Sequence, residues 1–453
     1  MVFEPSVYTE FRFLSATLNA HDFSVRFEYS LVGEDSTEHF SESISFTPVR
    51  ASHEVDWPRV RGLIVILGAA LGLSYFKAAA PSRYVIELEG MTQAGVDYLG
   101  ELMTHGMAEF AYRNELPEPL HPEIVLTAGV APAWPAEDHL TPSGDPLVPI
   151  GGGKDSVVSV ELLAAARMHP VQFGVNPNKI MYRVGRIKGH PVLAATRELD
   201  TRIMELNEAG ALNGHVPVTA MNSLIALVQA RIIGLGPVVM SLEASASEPT
   251  LWWGDMPVNH QWSKSEVAEE LLQDMLGPQA GLSAGSYFSL LRPYSEIQIA
   301  RYFAALSEYH PVITSCNRAF RRGVEDARWC GDCDKCRFIF LILSPFIPAT
   351  SLTRMFADNL LDNPSQLEGY RALLGLHEHR PFECVGEQAE SMLALHWVAT
   401  AGEWKNAAVV KALVAEIPEL LVPHPELEVQ VLGHRESELA MPGGYHTLGQ
   451  VLA

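Results

Sequence analysis

The chain has 453 residues, of which 47% are hydrophobic, and its 54 Asp and Glu residues outnumber 32 Lys and Arg residues, giving a formal charge of −22. That length predicts two or three domains with sizeable cores, and that composition excludes an intrinsically disordered chain. The acidic balance disfavours nucleic acid, tRNA included, as a partner, because the protein would repel a phosphate backbone.

Cysteine usage and hydropathy indicate where the protein works. Five cysteines in so long a chain, three of them closely spaced, indicate a reducing compartment, so we expect a cytoplasmic protein. The longest apolar run, 62–76, is shorter than the ~20 residues of a membrane helix, and the N-terminus lacks a basic-then-apolar signal peptide. We therefore expect a soluble protein with no membrane partner.

The N-terminal part predicts an α/β module. Apolar and polar residues alternate from Glu10 to Phe46, which is typical of a small antiparallel sheet. Periodicity then predicts a buried helix, a strand and an amphipathic helix, at 61–75, 84–88 and 94–113. The segment 115–146 is rich in proline and polar residues, which makes it the best candidate linker.

A glycine turn follows, between a short apolar run that predicts a strand and a helical pattern that starts at Val157. The turn comprises Gly151, Gly152, Gly153, Lys154, Asp155 and Ser156. Its three glycines let the backbone approach an anion without Cβ clashes, and the free N–H groups of the following helix point at that anion. Asp155 and Ser156 can cap the helix. The turn therefore suits a phosphate group.

The charged residues of the turn add two further expectations. Lys154 supplies a mobile positive charge, and Asp155 can hold a Mg²⁺ ion that bridges phosphate oxygens. The turn is not a Walker A loop, because Asp155 stands where that motif needs Ser or Thr after its Lys. An ordinary tight turn is the alternative interpretation.

The turn resembles the PP-loop, SGGxDS, of the ATP pyrophosphatase group, which cleaves ATP between the α- and β-phosphates and adenylates a substrate. Gly151 departs from the motif, since the family usually has Ser there, whose hydroxyl contacts the pyrophosphate; the backbone N–H donors remain. The resemblance implies a parallel-sheet PP-loop domain of the adenine nucleotide α-hydrolase-like type.

Beyond the turn, strands and helices continue to alternate. We predict a strand at 171–175, a helix at 192–200, a helix ending at Ile233 and a buried strand at 237–242. This order implies a parallel sheet.

Two polar stretches follow the last of these strands. Ligands of parallel sheets gather beyond the carboxyl ends of the strands, so Glu243 and Ser245 are predicted to contact the nucleotide. The loop 252–265 packs three Trp with several polar groups, and His260 and Lys264 are its candidate acid/base residues. A helix-capping box formed by Ser263 to Glu266, and an ordinary surface histidine, are the alternatives.

Four cysteines form a candidate metal site: Cys316, Cys330, Cys333 and Cys336. A C-x2-C-x2-C run with a fourth upstream Cys brings together four thiolates, and this donor set favours one structural Zn²⁺ ion. An iron–sulfur cluster or four unligated thiols are the alternatives. Several PP-loop proteins carry a similar cysteine knuckle.

The C-terminal third predicts a series of helices, at 338–346, 352–361, 365–374, 389–401 and 407–416. Between them lies the segment PFECVGE, which holds Glu383 and Cys384, the only cysteine outside the cluster. A lone Cys beside Phe and Val is often a small core residue. We divide the chain into 1–140, the N-terminal module, 141–345, the nucleotide-binding domain with the cysteine knuckle, and 346–453, a helical region.

Six motifs in this order resemble the bacterial UDP-N-acetylmuramoyl-L-alanyl-L-glutamate epimerase family: GGGKDS, NGHVPVTAMNS, LEASAS, VNHQWSKS, CGDCDKC and PFECVGE. The resemblance implies ATP- and Mg²⁺-dependent inversion of the terminal glutamate of a peptidoglycan precursor, with AMP and pyrophosphate released. The substrate implied is the small molecule UDP-muramyl dipeptide. A tRNA- or nucleobase-modifying adenylating enzyme and a non-catalytic nucleotide-binding module are the alternatives.

This chemistry is consistent with the residues. A free carboxylate makes its neighbouring C–H very weakly acidic, and conversion to an acyl-adenylate removes the opposing charge. Inversion then needs a proton to leave one face and another to arrive on the opposite face. The candidate acid/base residues are His260, Lys264, Glu383 and Cys384, whose thiolate Lys264 or His260 can stabilise.

Overall fold

A computed structural model describes residues 2–48, 53–320, 328–376, 381–433, 435 and 437–452. The strands are β1 (Tyr8–Asn19), β2 (Ser24–Gly33), β3 (Thr37–Ser45), β4 (Arg83–Ile86), β5 (Glu123–Leu126), β6 (Leu147–Pro149), β7 (Val171–Val175), β8 (Val192–Glu198), β9 (Val238–Met240), β10 (Leu251–Trp253), β11 (Met256–Val258) and β12 (Tyr287–Ser289). The helices are α1 (Trp57–Phe76), α2 (Gln93–Thr104), α3 (Ala108–Arg113), α4 (Lys154–Ala165), α5 (Lys179–Arg186), α6 (Arg202–Glu208), α7 (Val218–Ile233), α8 (Glu266–Ala280), α9 (Glu296–Ala304), α10 (Asp334–Leu343), α11 (Ala349–Phe356), α12 (Leu367–Leu373), α13 (Gln388–Thr400), α14 (Ala408–Glu416) and α15 (Pro425–Leu432).

Ten strands form one mixed sheet in the order β12-β9-β6-β7-β8-β3-β2-β1-β4-β5. The first five are parallel, β8 to β1 are antiparallel, and β1, β4 and β5 are parallel again. The predicted α/β class is confirmed, and so is the predicted parallel sheet after the glycine turn. The predicted N-terminal antiparallel strands exist, but they join the parallel block through β3 and β8. The division at residues 140 and 345 stays a prediction, and strands from both sides of residue 140 share this sheet.

Two hydrophobic cores cover the two faces of the parallel strands β6, β9 and β12, since successive side chains of a strand point to opposite faces. Leu147 of β6 belongs to the core that includes α1, α7 and α8, whereas Val148 belongs to the core formed by α4, α9, α10 and the C-terminal helices. Burial on both faces explains why these three strands are apolar along their length.

Helix α1 has 20 residues, more than the apolar run suggested, and its length and hydropathy alone would suit a membrane span. However, 83% of its most apolar window is buried inside the protein. Its glycines let it approach the sheet closely. A Cβ on Gly68 would lie 2.3 Å from the Phe13 side chain, and a Cβ on Gly72 would lie 2.3 Å from the Tyr84 side chain. The helix is the centre of a core.

Three local predictions are wrong. Residues 192–198 form the strand β8 rather than a helix, because pairing with β7 and β3 overrides the helix propensity of the two alanines there. The predicted linker supplies β5, which pairs with β4 at the sheet edge. The proposed capping box is absent, because the N-cap of α8 is Ser265, which accepts a hydrogen bond from the Ala268 N–H. In addition, α5, α6, α9 and α15 were not predicted.

The order of the strands positions the site. Strand β6 lies between β7 and β9, so the chain leaves β6 in one direction and returns on its other side. Such a reversal opens a crevice beyond the carboxyl ends of the strands, where ligands of α/β sheets bind. The glycine turn directly follows β6.

A buried ion pair holds the two halves of the sheet together. Arg197 of β8 lies 2.5 Å from Glu42 of β3, and the Glu42 side chain has no exposed surface. We expect Arg197→Met to lower the free energy of unfolding by about 3–5 kcal/mol, because it leaves a buried carboxylate without its partner. Urea unfolding followed by circular dichroism measures this. Arg26→Met, which breaks an exposed pair with Glu28 on β2, should leave the midpoint nearly unchanged, and an equal loss in both variants would contradict the prediction.

Candidate active site

A cavity of about 350 Å³ opens beyond the carboxyl ends of β6, β7 and β9. Its walls include Gly151, Gly153, Asp155 and Ser156 of the turn, Asn222 of α7, Ser241 and Leu242 after β9, and Lys264, Ser315, Lys335 and Cys384. The cavity thus joins the glycine turn to residues from several later parts of the chain.

The turn has the backbone geometry of an anion site. Gly152 has φ of +85°, and a Cβ there would lie 2.9 Å from Ile180, whereas a Cβ on Gly151 would meet no atom within 4 Å. Gly153 is the N-cap of α4 and provides no side-chain cap. The first N–H groups and the positive end of the helix dipole are therefore free to bind an anion in the cavity.

Lys154 is not the mobile charge that we predicted. Its side chain is 1% exposed and forms ion pairs with Glu296 and Asp155. Lys335 lines the cavity instead, with its Nζ 3.5 Å from Glu296 Oε1. Burial raises the pKa of Glu296, but Lys154 and Lys335 outweigh burial and lower it to about 2. Lys335 is therefore the cation that this network presents to a ligand.

Glu243 and Ser245, which we predicted to contact the nucleotide, do not line the cavity. Both are buried. Burial, and then the charges of Glu296 and Asp155, raise the pKa of Glu243 to about 7. The Ser245 hydroxyl has no hydrogen-bond partner in the described part of the chain. Ser241 and Leu242, just before them, are the residues that reach the cavity.

Cys384 is half-buried at the cavity and lies beside a cation. Its Sγ is 3.0 Å from Lys264 Nζ. Burial opposes ionisation of the thiol, but Lys264 and then His260 outweigh it and lower the pKa of Cys384 to about 6. A large fraction of Cys384 is thus a thiolate at neutral pH, which is the form that acts as a base or nucleophile.

His260 interacts with Cys384 and with a residue that the sequence did not suggest. Its Nδ1 is 2.5 Å from Oε2 of Glu109, a buried residue of α3, and its ring centroid is 4.8 Å from that of His215. Burial lowers the pKa of His260, but Cys384 and Glu109 raise it to about 9 overall. Burial and the charge of His260 lower the pKa of His215 to about 4. The pair is therefore one imidazolium and one neutral imidazole.

Glu383 does not line the cavity, unlike its neighbour Cys384. Its carboxylate accepts a hydrogen bond of 2.8 Å from the Lys335 backbone N–H in the first turn of α10, and Glu383 is not part of the cavity wall. This contact anchors the segment that carries Cys384 to the start of α10.

The four clustered cysteines converge. Three sulfur–sulfur distances are 3.5, 3.7 and 3.9 Å, and all four sulfurs lie within 4.8 Å of one another. Four sulfurs about 2.3 Å from a tetrahedral metal would be about 3.8 Å apart. The donor set therefore fits a metal ion such as zinc, at the start of α10 and next to Lys335.

A larger cavity of about 750 Å³ lies between α13 and α15. Glu248, Glu387 and Glu426 line it, and no described Lys or Arg does. An anionic nucleotide is repelled by such walls, so we assign the chemistry to the smaller cavity.

Comparison with known proteins identifies the family. A family model described as the MurL N-terminal domain matches residues 2–290, and one described as the MurL C-terminal domain matches residues 312–428. The chain belongs to this family. Relatives named UDP-N-acetyl-alpha-D-muramoyl-L-alanyl-L-glutamate epimerase include those of Micromonospora sp., 44% identical over 90% of this chain and 91% of the relative, and Salinispora tropica, 46% identical over 90% and 89%. One from Xanthomonas oryzae pv. oryzae is 40% identical over 84% of each chain.

These matches confirm the resemblance seen in the six motifs, and with it the prediction that the chain is an enzyme of the isomerase class. The motifs also contained signals that we did not use. His215 and Asn222 lie in NGHVPVTAMNS, and Lys335 lies in CGDCDKC. Glu109 lies in none of them, so only the structure brings it to the site.

The contact between Lys264 and Cys384 generates a prediction. We expect Lys264→Met to move the pH midpoint of Cys384 alkylation upward by about one to three units, since it removes the nearest cation and leaves the burial unchanged. Iodoacetamide labelling from pH 4 to 9, with mass spectrometry to identify the labelled cysteine, measures the midpoint. Lys188→Met, which removes a lysine paired with Glu161 and Glu308, is the control, and an unchanged midpoint in Lys264→Met would exclude this ion pair.

Proposed function

We propose that the chain inverts the terminal L-glutamate of UDP-N-acetylmuramoyl-L-alanyl-L-glutamate to D-glutamate through an acyl-adenylate, with ATP consumed and AMP and pyrophosphate released. The observation that carries the proposal is the thiol of Cys384, which lies 3.0 Å from Lys264 and lines the same cavity as the glycine turn. The names of the relatives support the substrate. The reaction belongs to peptidoglycan precursor synthesis, and its location in the cytoplasm stays a prediction.

The glycine turn is suited to the first half-reaction. Free N–H groups at the start of α4 and the side chain of Lys335 would hold the phosphates of ATP. Asp155 is the carboxylate of the turn that faces the cavity and would hold Mg²⁺, which neutralises phosphate charge. A carboxylate oxygen of the substrate attacks the α-phosphate, and pyrophosphate leaves.

Cys384 is suited to the second half-reaction, the inversion at the α-carbon. The adenylate is neutral at the former carboxylate, so its α-proton is more acidic, and the Cys384 thiolate would remove it. A proton must then reach the opposite face, and Lys264 and His260 are the candidate donors. Water finally cleaves the acyl–phosphate bond, which yields AMP and the free carboxylate.

The proposal is tested by separating adenylation from proton exchange. In D₂O with the UDP-muramyl dipeptide, ATP and Mg²⁺, the unmodified enzyme should release AMP and incorporate deuterium at the glutamate α-carbon. Cys384→Ala should retain AMP release and lose deuterium incorporation, because it removes only the base. Full incorporation by this variant would transfer the role to His260, and release of ADP would exclude adenylation.

The glycine turn gives a matched pair of variants. We expect Gly152→Val to abolish ATP binding, because the left-handed φ and the contact with Ile180 leave no room for a side chain. Gly151→Ala should bind ATP nearly as well as the unmodified chain, because its Cβ has open space. Isothermal titration calorimetry compares the two, and equal affinities would show that the turn does not bind phosphate.

We further propose that the cysteine cluster holds one structural Zn²⁺ ion, since four thiolates leave no open coordination position for catalysis. Purified protein should contain about one zinc per chain. Cys336→Ser should lose zinc and melt at a lower temperature, because metal binding contributes to folding free energy. Cys384→Ser, outside the cluster, should keep its zinc. Iron with sulfide, or no metal in fresh protein, would refute the assignment.

A further inference from the structure

Glu109 connects the N-terminal part of the chain to the reactive thiol. It lies on α3, and its side chain is 4% exposed. Its Oε1 accepts a hydrogen bond of 3.2 Å from Arg113, and its Oε2 lies 2.5 Å from His260 Nδ1. Burial alone would raise the pKa of Glu109, but His260, His215 and Arg113 together lower it. Glu109 is therefore a buried carboxylate anion next to the ring of His260.

The position of this carboxylate determines what His260 can do. A carboxylate that accepts the Nδ1–H fixes the orientation of an imidazole ring and stabilises its protonated form. Of the two ring nitrogens, Nε2 then remains for the interaction with Cys384. The order is carboxylate, imidazolium and thiolate, an arrangement in which each charge stabilises its neighbour.

We propose that Glu109 is a positioning residue for Cys384: its carboxylate holds His260 in place and protonated against the thiolate. The N-terminal part of the chain would thus complete the reactive site that the later parts form. This inference rests on the proposed function, in which the Cys384 thiolate removes the α-proton.

The same three side chains could also be considered a metal site, because ligand atoms of Glu109, His215 and His260 lie within 4.8 Å of one another. The contact of 2.5 Å argues against that. Two ligand atoms at about 2.0–2.1 Å from one tetrahedral ion would be about 3.3 Å apart. A separation of 2.5 Å is closer to the roughly 2.7–2.9 Å of a charge-assisted N–H···O hydrogen bond than to that spacing.

Other charges around the thiol limit the size of the effect. Lys264 and Lys335 also favour the thiolate, and both remain when Glu109 is changed. His215 contributes no positive charge at neutral pH, since its pKa is lowered to about 4 by burial and then by His260. Loss of Glu109 should therefore lower the fraction of Cys384 that is a thiolate without abolishing it.

A double-mutant cycle on the pH profile of Cys384 alkylation tests the inference. We expect Glu109→Gln to raise the midpoint by about one unit, which makes alkylation about tenfold slower at pH 5. His260→Gln should raise it at least as far, and the double variant no further than His260→Gln alone, because Glu109 acts through His260. Glu109→Asp, which keeps the charge, should shift the midpoint less than Glu109→Gln and serves as a second test if the latter does not fold.

Glu101→Gln is the matched control, since Glu101 also pairs with a histidine, His105, at 3.5 Å but on the surface of α2. Its midpoint should equal that of the unmodified chain. The inference would be overturned by an unchanged midpoint in Glu109→Gln, by equal shifts in Glu109→Asp and Glu109→Gln, or by additive shifts in the double variant. It would also be overturned if the protein held stoichiometric metal that was lost on changing Glu109 or His215. The assay contains no ATP or substrate, so its outcome is independent of the deuterium experiment that tests the proposed function.

Discussion

The buried carboxylate of Glu296 is the constraint on which the arrangement of the site depends. It forms ion pairs with Lys154 at the start of α4 and with Lys335 in the first turn of α10. The backbone N–H of Glu296 donates a hydrogen bond to the carboxyl group of Glu390 on α13. Burial, and then the charges of Glu296 and Glu387, raise the pKa of Glu390 to about 8, so Glu390 is mostly protonated at neutral pH. One anion thus connects the glycine turn, the cysteine cluster and the C-terminal helices, and a buried charge of this kind is stable only while its partners stay in place.

This network bears on how a strongly acidic protein could bind the nucleotide that we propose. The overall charge of −22 would repel a nucleotide, but the cavity itself contains Lys264, Lys335 and the start of α4. Inside a partly buried cavity nearby charges are screened less than those on the surface. In the proposed site, the few cations that line the cavity would therefore act on the nucleotide more strongly than the many carboxylates of the surface. That the same surface disfavours a phosphate backbone as a partner stays a prediction.

Three parts of the chain meet at Cys384. The C-terminal part supplies the thiol, the segment after β11 supplies Lys264 and His260, and the N-terminal helix α3 supplies Glu109. Glu383 holds the thiol segment to α10, next to the cysteine cluster. A metal at the cluster would therefore fix both Lys335 and the approach of Cys384, which gives a structural metal a direct bearing on the chemistry.

The sequence by itself determined the features that depend on neighbouring residues. The three glycines between a strand and a helix, the alternating strands of the N-terminus and the spacing of the four cysteines each express a local geometric requirement, and the structure has each feature where it was predicted. Only the tertiary structure decided what depends on distant partners. Residues 192–198 are a strand because β3 and β7 pair with them, although their composition favours a helix. Lys154 is neutralised because Glu296, 142 positions later, lies against it, and Glu109 reaches His260 across 151 positions. Such contacts leave no periodic signal in the chain, because they are set by how the helices pack on the sheet and not by the order of residues within any one element.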